Sequence, residues 1–316
     1  MGDSNREVIR SLIQKADLKI TDMTTNGGAL LPAQAKEFMD IAIEDQVVIK
    51  EAFVKPLTAP VQEIDRVGFL SRIARAGAEG VSLSADDRAA PTTGKVQLTT
   101  VKIKAQVNLT DEDLSDTVEG ENFEKHVTKL MGDRFGLDLE DLIINGDKTS
   151  TDPLLKLLDG IVKQATSHVV NNGSKVLEKS DLFGLVRALP NQFQRNKKRM
   201  RIYLASDIEL KWRDIMTART GSLADSAIVS ADPIPAYGAP VVGVPMIQTV
   251  VGGAAGEYPG LYLDPKNICV GIWKDVRIRS QLDIDSGNLK IVADTRADVK
   301  FLYEPAVAKV VTLKAA

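Results

Sequence analysis

The stretch EGENFEKHVTKLMGDRFGLDLEDLIINGD, Glu119 to Asp147, carries the longest sustained helical pattern in the chain. Phe123, Val127, Leu130 and Leu137 fall on one stripe, Met131, Leu142 and Ile143 widen it, and charged residues fill most other positions. No proline interrupts the run. At ~1.5 Å per residue the pattern predicts a helix over 119–145 of about 40 Å, long enough to act as a strut for its neighbours. Gly132 and Gly136, on one face, lower helix propensity and allow a close backbone approach. Asn145-Gly146-Asp147 reads as a C-cap followed by a turn. These residue types point to packing rather than to chemistry.

Upstream, the period changes to two. Val101, Ile103, Ala105, Val107 and Leu109 alternate with Lys102, Lys104, Gln106 and Asn108, which predicts a two-faced strand. Its antiparallel partner is expected near Ile64 to Ile73. Between them AGAEGVSLSADDRAAPTTGK, Ala76 to Lys95, is too polar and too rich in small residues to form a core, so an extended hairpin that projects from the body is expected. Thr110 with Asp113 reads as the cap of a short helical turn leading into the long helix. Further upstream, two helices, over 5–16 and from Ala33 to about Ile49, flank the pivot NGGALLP, Asn26 to Pro32. That is an arm, helix–hinge–helix, with little core of its own.

Downstream, 149–158 is a turn-rich crossing. Ser180 to Leu189 is expected as a helix with Leu182, Leu185, Val186 and Leu189 inward, stopped by Pro190. Arg195, Lys197, Lys198, Arg199 and Arg201 form a basic cluster without interleaved aromatics, which reads as a solvated turn. A strand over 201–205 leads to a helix burying Ile208, Trp212 and Ile215, with Ser206 and Glu209 as its capping box. A loop and strand over 232–247 follow. Short strands are then expected at 260–263, 268–273, 276–284, 289–293 and 299–303, with an apolar tail from Val307 to Leu313. This is α+β order, not the regular alternation of a doubly wound sheet.

At 316 residues and 44% hydrophobic composition, the chain can bury a substantial core. A formal net charge of −3 gives no general attraction to phosphate backbones or anionic membranes, which argues against tight nucleic-acid binding. Cys269 is the single cysteine, so no internal disulfide framework exists, and a reducing compartment is expected. MGDSNREVIR has no apolar signal region, and no run approaches the ~20 apolar residues of a membrane span, so a soluble, non-secreted protein is expected.

Catalytic patterns are missing. His126 and His168 stand at no metal-ligand spacing with each other or with Cys269. Gly221-Ser222 has no nearby His, and Thr93-Gly94-Lys95-Val96 lacks both the leading Gly and the hydroxyl of a phosphate loop. Asp283 and Asp285 open like a calcium loop, but Gly287 falls where a ligand is needed, so a solvated turn is expected there. No catalytic, cofactor-binding or metal residue is assigned; the chain is expected not to be an enzyme.

The order of parts is informative where single residues are not. From Asn26 onward the chain resembles tailed-phage major capsid proteins of the HK97-like family. NGGALLP is similar to that family's pivot, the long hairpin to its extended loop, and VNLTDEDLSD (107–116) with LEDLIINGD (139–147) to the entry and exit of its spine helix. SDLFGLVRALP, RIYLASD, GAPVVGVPMI and PGLYLDPKNICVGIW resemble the axial domain, and VKFLYEPAVAKV the terminal strand. The resemblance implies an N-terminal arm over 1–53, an extended-loop region over 54–109, a peripheral domain over 110–155 and 276–303 carrying spine helix 119–145, and an axial domain over 156–275 and 304–316. It also implies homo-pentamers and homo-hexamers closing an icosahedral head around double-stranded DNA without tight binding. Scaffolding, portal and decoration proteins are the implied partners, with assembly in a host cytoplasm, no membrane and no cofactor.

Some members carry a long N-terminal scaffolding segment; the short stretch before the pivot implies a separate scaffold or none. Others join a hairpin Lys to an Asn, with a Glu seven residues beyond as base. Asn288 falls at the Asn position, but Thr295 stands at the Glu position with Asp294 one short, so no autocatalytic cross-link is expected. Two alternatives remain open: an encapsulin-type compartment shell of the same fold, and an α+β enzyme with an unrecognised carboxylate site.

Overall fold

The computed structural model of the chain describes residues 46–68, 74, 92–110, 121–218, 232–249, 256–283 and 288–315. In chain order these form α1 (Val48–Glu51), β1 (Phe53–Leu57), β2 (Val61–Gly68), β3 (Thr92–Thr99), β4 (Val101–Thr110), α2 (Glu121–Asn145), α3 (Ile161–Gln164), β5 (His168–Asn171), α4 (Lys179–Ala188) and β6 (Arg201–Ala205). They continue with α5 (Ser206–Thr217), β7 (Pro235–Ala236), β8 (Ala239–Val244), β9 (Tyr258–Leu263), β10 (Ile268–Asp283), β11 (Asn288–Phe301) and β12 (Ala308–Leu313). Two compact units result, one built on Lys102–Asp138 and Ile272–Arg296, the other on Val47–Val101, Leu139–Gly271 and Ala297–Ala316.

In the first unit β10, β11 and β4 are successive neighbours in one sheet. The sequence suggested two strands on either side of Lys274-Asp275 and two on either side of 294–298, but β10 and β11 each run through without a break. On β11 the alternation is sustained: Ile291, Ala293 and Thr295 are buried while the residues between them are partly covered. The charges that looked like a break point sideways and find partners. Asp294 meets Lys102 at 3.5 Å, and the Arg296 guanidinium lies 4.7 Å from the centre of the Trp273 ring.

α2 spans 25 residues, matching the predicted helix. Its buried stripe is Met131, Phe135, Leu139, Leu142 and Ile143; Leu130, expected on that stripe, is 53% exposed. One position of drift separates the two readings, because the spacing of three and four residues fits either face.

In the second unit six of the described strands form one sheet, in the order β5-β12-β9-β6-β8-β7. β12 runs parallel to β5 and antiparallel to β9, and β6 runs parallel to β8 and antiparallel to β9. The apolar segment expected as a tail is therefore an interior strand. His168, expected in a polar connection, is the first residue of β5. α4 packs on β12 and β5, α5 on β8 and β6. Their inward faces are Leu182, Leu185 and Val186, and Ile208, Trp212 and Met216, the last in place of Ile215. The capping box expected at Ser206 is absent, since Glu209 is drawn to Arg213 at 2.5 Å; α4 has one instead, between Glu178 and Asp181.

The end of α2 is set by close packing. Gly146 N–H still donates to Leu142 (3.0 Å), and a Cβ on Gly146 would stand 2.5 Å from the carbonyl oxygens of Leu142 and Leu158. Gly160, whose N–H donates to Gly146 (2.8 Å), is equally constrained. Two backbone segments thus meet where no side chain fits.

Residues 64–68 do not pair with 101–109 as the sequence suggested, and 69–73 lie outside the described residues: β2 pairs with β3, and β4 neighbours β11. At the upstream end, Gln46 and Val47 are not helical, so α1 is a separate turn, not the last part of a helix over 33–49. The helices expected over 5–16 and 33–45, the pivot, the hairpin tip over 75–91 and the turn at 111–116 lie outside the described residues.

Candidate functional site

Strand period divides the β2–β3 hairpin into two unlike faces. Pairing runs antiparallel from Val61↔Thr99 to Gly68↔Thr92. Gln62, Ile64, Arg66, Gly94, Val96 and Leu98 therefore share one face, and Val61, Glu63, Asp65, Val67 and Lys95 lie on the other. The first face is anchored. Leu98 is fully buried and, with Leu57, fills the space beside Gly271, where a Cβ would meet the two leucines at 2.9 and 2.8 Å. Thr99 N–H donates to Asp298 at 2.7 Å. Arg66 donates to the carbonyl of Leu302 at 2.6 Å, and its guanidinium lies 5.1 Å from the centre of the Tyr303 ring. It can cross the hairpin because Gly94 stands opposite: a Cβ there would lie 2.7 Å from Arg66 Nη2. The second face is bare. Val67 is 70% and Val61 46% exposed, with the Lys95–Glu63 pair (2.7 Å) between them.

Where the described chain begins, a buried carboxylate holds it. Glu140 of α2 is 2% exposed and accepts the Val48 N–H at 2.6 Å, with the N–H groups of Val47 and Ile49 also directed to it. Burial raises its pKa, and the three N–H groups only partly oppose that. One turn on, the Glu51 carboxylate takes Arg201 Nε at 3.1 Å and the Tyr203 hydroxyl at 2.7 Å. Burial, then Glu51, push that hydroxyl far above the ordinary phenol range. Sequence reasoning missed Glu140, though a signal exists: it is flanked at i−4 and i+4 by Gly136 and the buried Ile144, so helical period places it inward.

The basic turn is exposed, as the sequence indicated, but two of its arginines are paired. Arg199 meets Asp264 at 2.8 Å and Arg201 meets Glu51. Lys266, distant in sequence, joins them. Together with Lys198 these side chains line an open concavity of about 250 Å³.

The remaining candidates for chemistry are dispersed. Among the described residues no group of three or more His, Cys, Asp and Glu is placed to hold a metal ion. His168 has a ring nitrogen 3.1 Å from the Pro305 carbonyl. Cys269 is fully buried, and burial pushes its thiol up to about 11. Thr93-Gly94-Lys95 lies inside β3, not at a strand-to-helix turn. Asp283 pairs with Lys290 at 2.5 Å, while 284–287 and Gly221-Ser222 lie outside the described residues, as does the side chain of His126. Thr295 Oγ1 is buried without a hydrogen-bond partner. A cavity of about 210 Å³ next to the end of α2 is lined by Asn145, Asp147, Lys163, Gln248 and Lys309, among others. The Thr149 hydroxyl (2.6 Å) and N–H (2.8 Å), with Lys163 at 3.0 Å, lower Asp147 to about 2. Lys309 donates to the Val162 carbonyl at 3.0 Å, and burial, then Lys163, lower its pKa. Asp147, Lys163 and Lys309 each contact a neighbour on the same chain, a pattern of side chains tied into the fold.

Comparison with known proteins agrees with that pattern. The model of the phage capsid family matches residues 27–312. A Bacillus subtilis (strain 168) protein, YqbE, named as a prophage capsid protein, is 32% identical over 309 residues, covering 96% of this chain and 99% of that one. Among solved structures, the chain is similar to one from the satellite phage P4 procapsid that includes the size determination protein Sid. The TM-score is 0.66 at 13% identity, over 95% of this chain and 98% of that one. The capsid of a native GTA particle gives a TM-score of 0.62 at 14% identity, over 86% and 90%. The holo-SrpI encapsulin complex of Synechococcus elongatus PCC 7942 gives 0.55 at 10% identity, over 85% and 88%.

Proposed function

The chain belongs to the phage capsid family and is a major capsid protein of HK97-like fold, a structural component of the virion that assembles with its own copies; from that premise we propose how it does so. Pentamers and hexamers close an icosahedral head around double-stranded DNA, in a host cytoplasm, with scaffolding, portal and decoration proteins as partners. Residues 1–53 act as the arm, 54–109 as the extended loop, 110–155 with 276–303 as the peripheral domain, and 156–275 with 304–316 as the axial domain.

The observation that carries this reading is the two-faced hairpin. One face is fixed by Leu98 and Arg66, with the Thr99 N–H tied to Asp298, while the other presents Val61 and Val67 with no cover from the described residues of its own chain. A neighbouring copy that covers such a face removes apolar area from water and spreads binding over a large interface.

Negative-stain microscopy and light scattering of the purified protein test the reading. Rings of five or six subunits, or closed particles, are expected, and particles recovered from infected or induced cells should hold DNA. A small soluble oligomer that never forms capsomers would overturn the assembly reading. Particles filled with a protein cargo and free of nucleic acid would replace the head with a compartment shell.

A further inference from the structure

An excess of positive charge lies beside the end of α1, within the second unit. Lys198 and Arg199 come from the turn before β6, Arg201 is the first residue of β6, and Lys266 comes from the short turn after β9; with Glu51 and Asp264 they line one open concavity of about 250 Å³. Both carboxylates are committed to arginines, Asp264 to Arg199 at 2.8 Å and Glu51 to Arg201 at 3.1 Å. These pairs fix the two guanidiniums; Arg201 Nη1 also donates to the Lys198 and Met200 carbonyls, at 2.9 and 3.3 Å, so Arg199 keeps the larger set of further N–H donors. The lysines have no such partner. Lys266 donates to the Ala52 carbonyl at 3.1 Å, and Lys198 makes no ion pair with the described residues. Four cations against two carboxylates leave the groove with an excess of two positive charges, in a chain whose formal charge is −3.

We propose that this groove takes two neighbouring phosphates of the DNA backbone, as a weak and sequence-blind contact between shell and genome. The proposal rests on the reading that the head encloses DNA. Its chemistry is that of the Arg199 guanidinium, oriented by Asp264, and of two lysine ammonium groups that make no ion pair with the described residues. Without base-reading groups or stacking aromatics in its lining, the groove has no means of preferring a sequence. Two neutralised phosphates release counterions enough for a slope of about −1.8 in log affinity against log salt, so a threefold rise in salt costs on the order of sevenfold in affinity. A single contact is therefore weak, and its effect grows through repetition over many copies.

The test uses intact capsomers and a fluorescent DNA duplex, titrated at several salt concentrations. Lys198→Ala with Lys266→Ala is expected to reduce affinity several-fold at low salt and to flatten the salt slope by about 1.8. A control with the same charge change elsewhere, Lys156→Ala with Lys175→Ala, should leave both nearly unchanged. Equal losses in the two double variants, or none in the first, would overturn the proposal, since net charge alone would then explain binding. A first variant that fails to form particles while binding the duplex normally would also overturn it, and assign the groove to carboxylates of a second copy. Wild-type particles without DNA are read separately, by nucleic-acid content, and bear on the enclosing role rather than on the groove's chemistry.

Discussion

Asp147 and Glu140 lie close together in sequence, both nearly buried, and their surroundings push them in opposite directions. Hydrogen bonds from Thr149 and the ammonium of Lys163 hold Asp147 at about 2, below its ordinary 3.8. The unfolded chain therefore binds this proton first as pH falls, so the stabilisation is complete above 3.8 and is lost on the way down to about 2. For Glu140 and Asp298 burial dominates and raises the pKa. Their folded forms keep the proton longer, so their contribution falls as pH rises from the ordinary carboxylate range through the raised value. Asp147→Asn is expected to destabilise the fold at neutral pH by roughly 1–3 kcal/mol, through the Thr149 and Lys163 contacts it weakens. It should also flatten the loss of stability on acidification. Denaturant midpoints measured from pH 7 downward would show both; an unchanged acid limb in the variant would remove Asp147 from the account.

Among elements, the hairpin separates residues packed into the fold from residues left exposed. Leu98→Ala empties a fully buried position and is expected to cost about 2–5 kcal/mol in unfolding measurements. Val67→Glu changes a side chain that is 70% exposed, so stability should stay within about 0.5 kcal/mol. Particle yield should nevertheless drop; normal assembly of Val67→Glu would mean this face stays uncovered in the shell. The elements were legible in proportion to their length and regularity. α2 could be read because its period holds over 25 residues without proline. Hairpin pairing could not, because β3 and β4 both alternate and only Thr100 separates them, so the choice of partner rests on tertiary contacts. On β11 the sequence suggests a division at charged residues that the fold instead turns to partners, Asp294 to Lys102 and Arg296 to Trp273. Lys266 joins the basic turn by a chain reversal that no local pattern announces.

At the scale of the whole molecule, the order of arm, hairpin, spine and axial segments made the fold class legible although each segment alone is unremarkable. The same scale bears on covalent chemistry. Thr295 stands where a cross-linking member has its base, and its buried hydroxyl cannot take a proton from an ammonium; Asp294, one residue short, is held by Lys102. Particles boiled in detergent should therefore run as the 34.3 kDa chain, and a ladder of multimers would refute this. A last consequence follows from β12, which sits between β5 and β9 and is made after every other described strand. While the ribosome is still upstream of Ala308, β5 and β9 have a gap between them, so β5 has no strand to join it to the rest of the sheet. Docking of β5 thereby waits until β12 has been made. Nascent chains stalled before Ala308 should stay open to protease across β5 and become resistant once Leu313 has emerged; early resistance would show that β5 docks without β12.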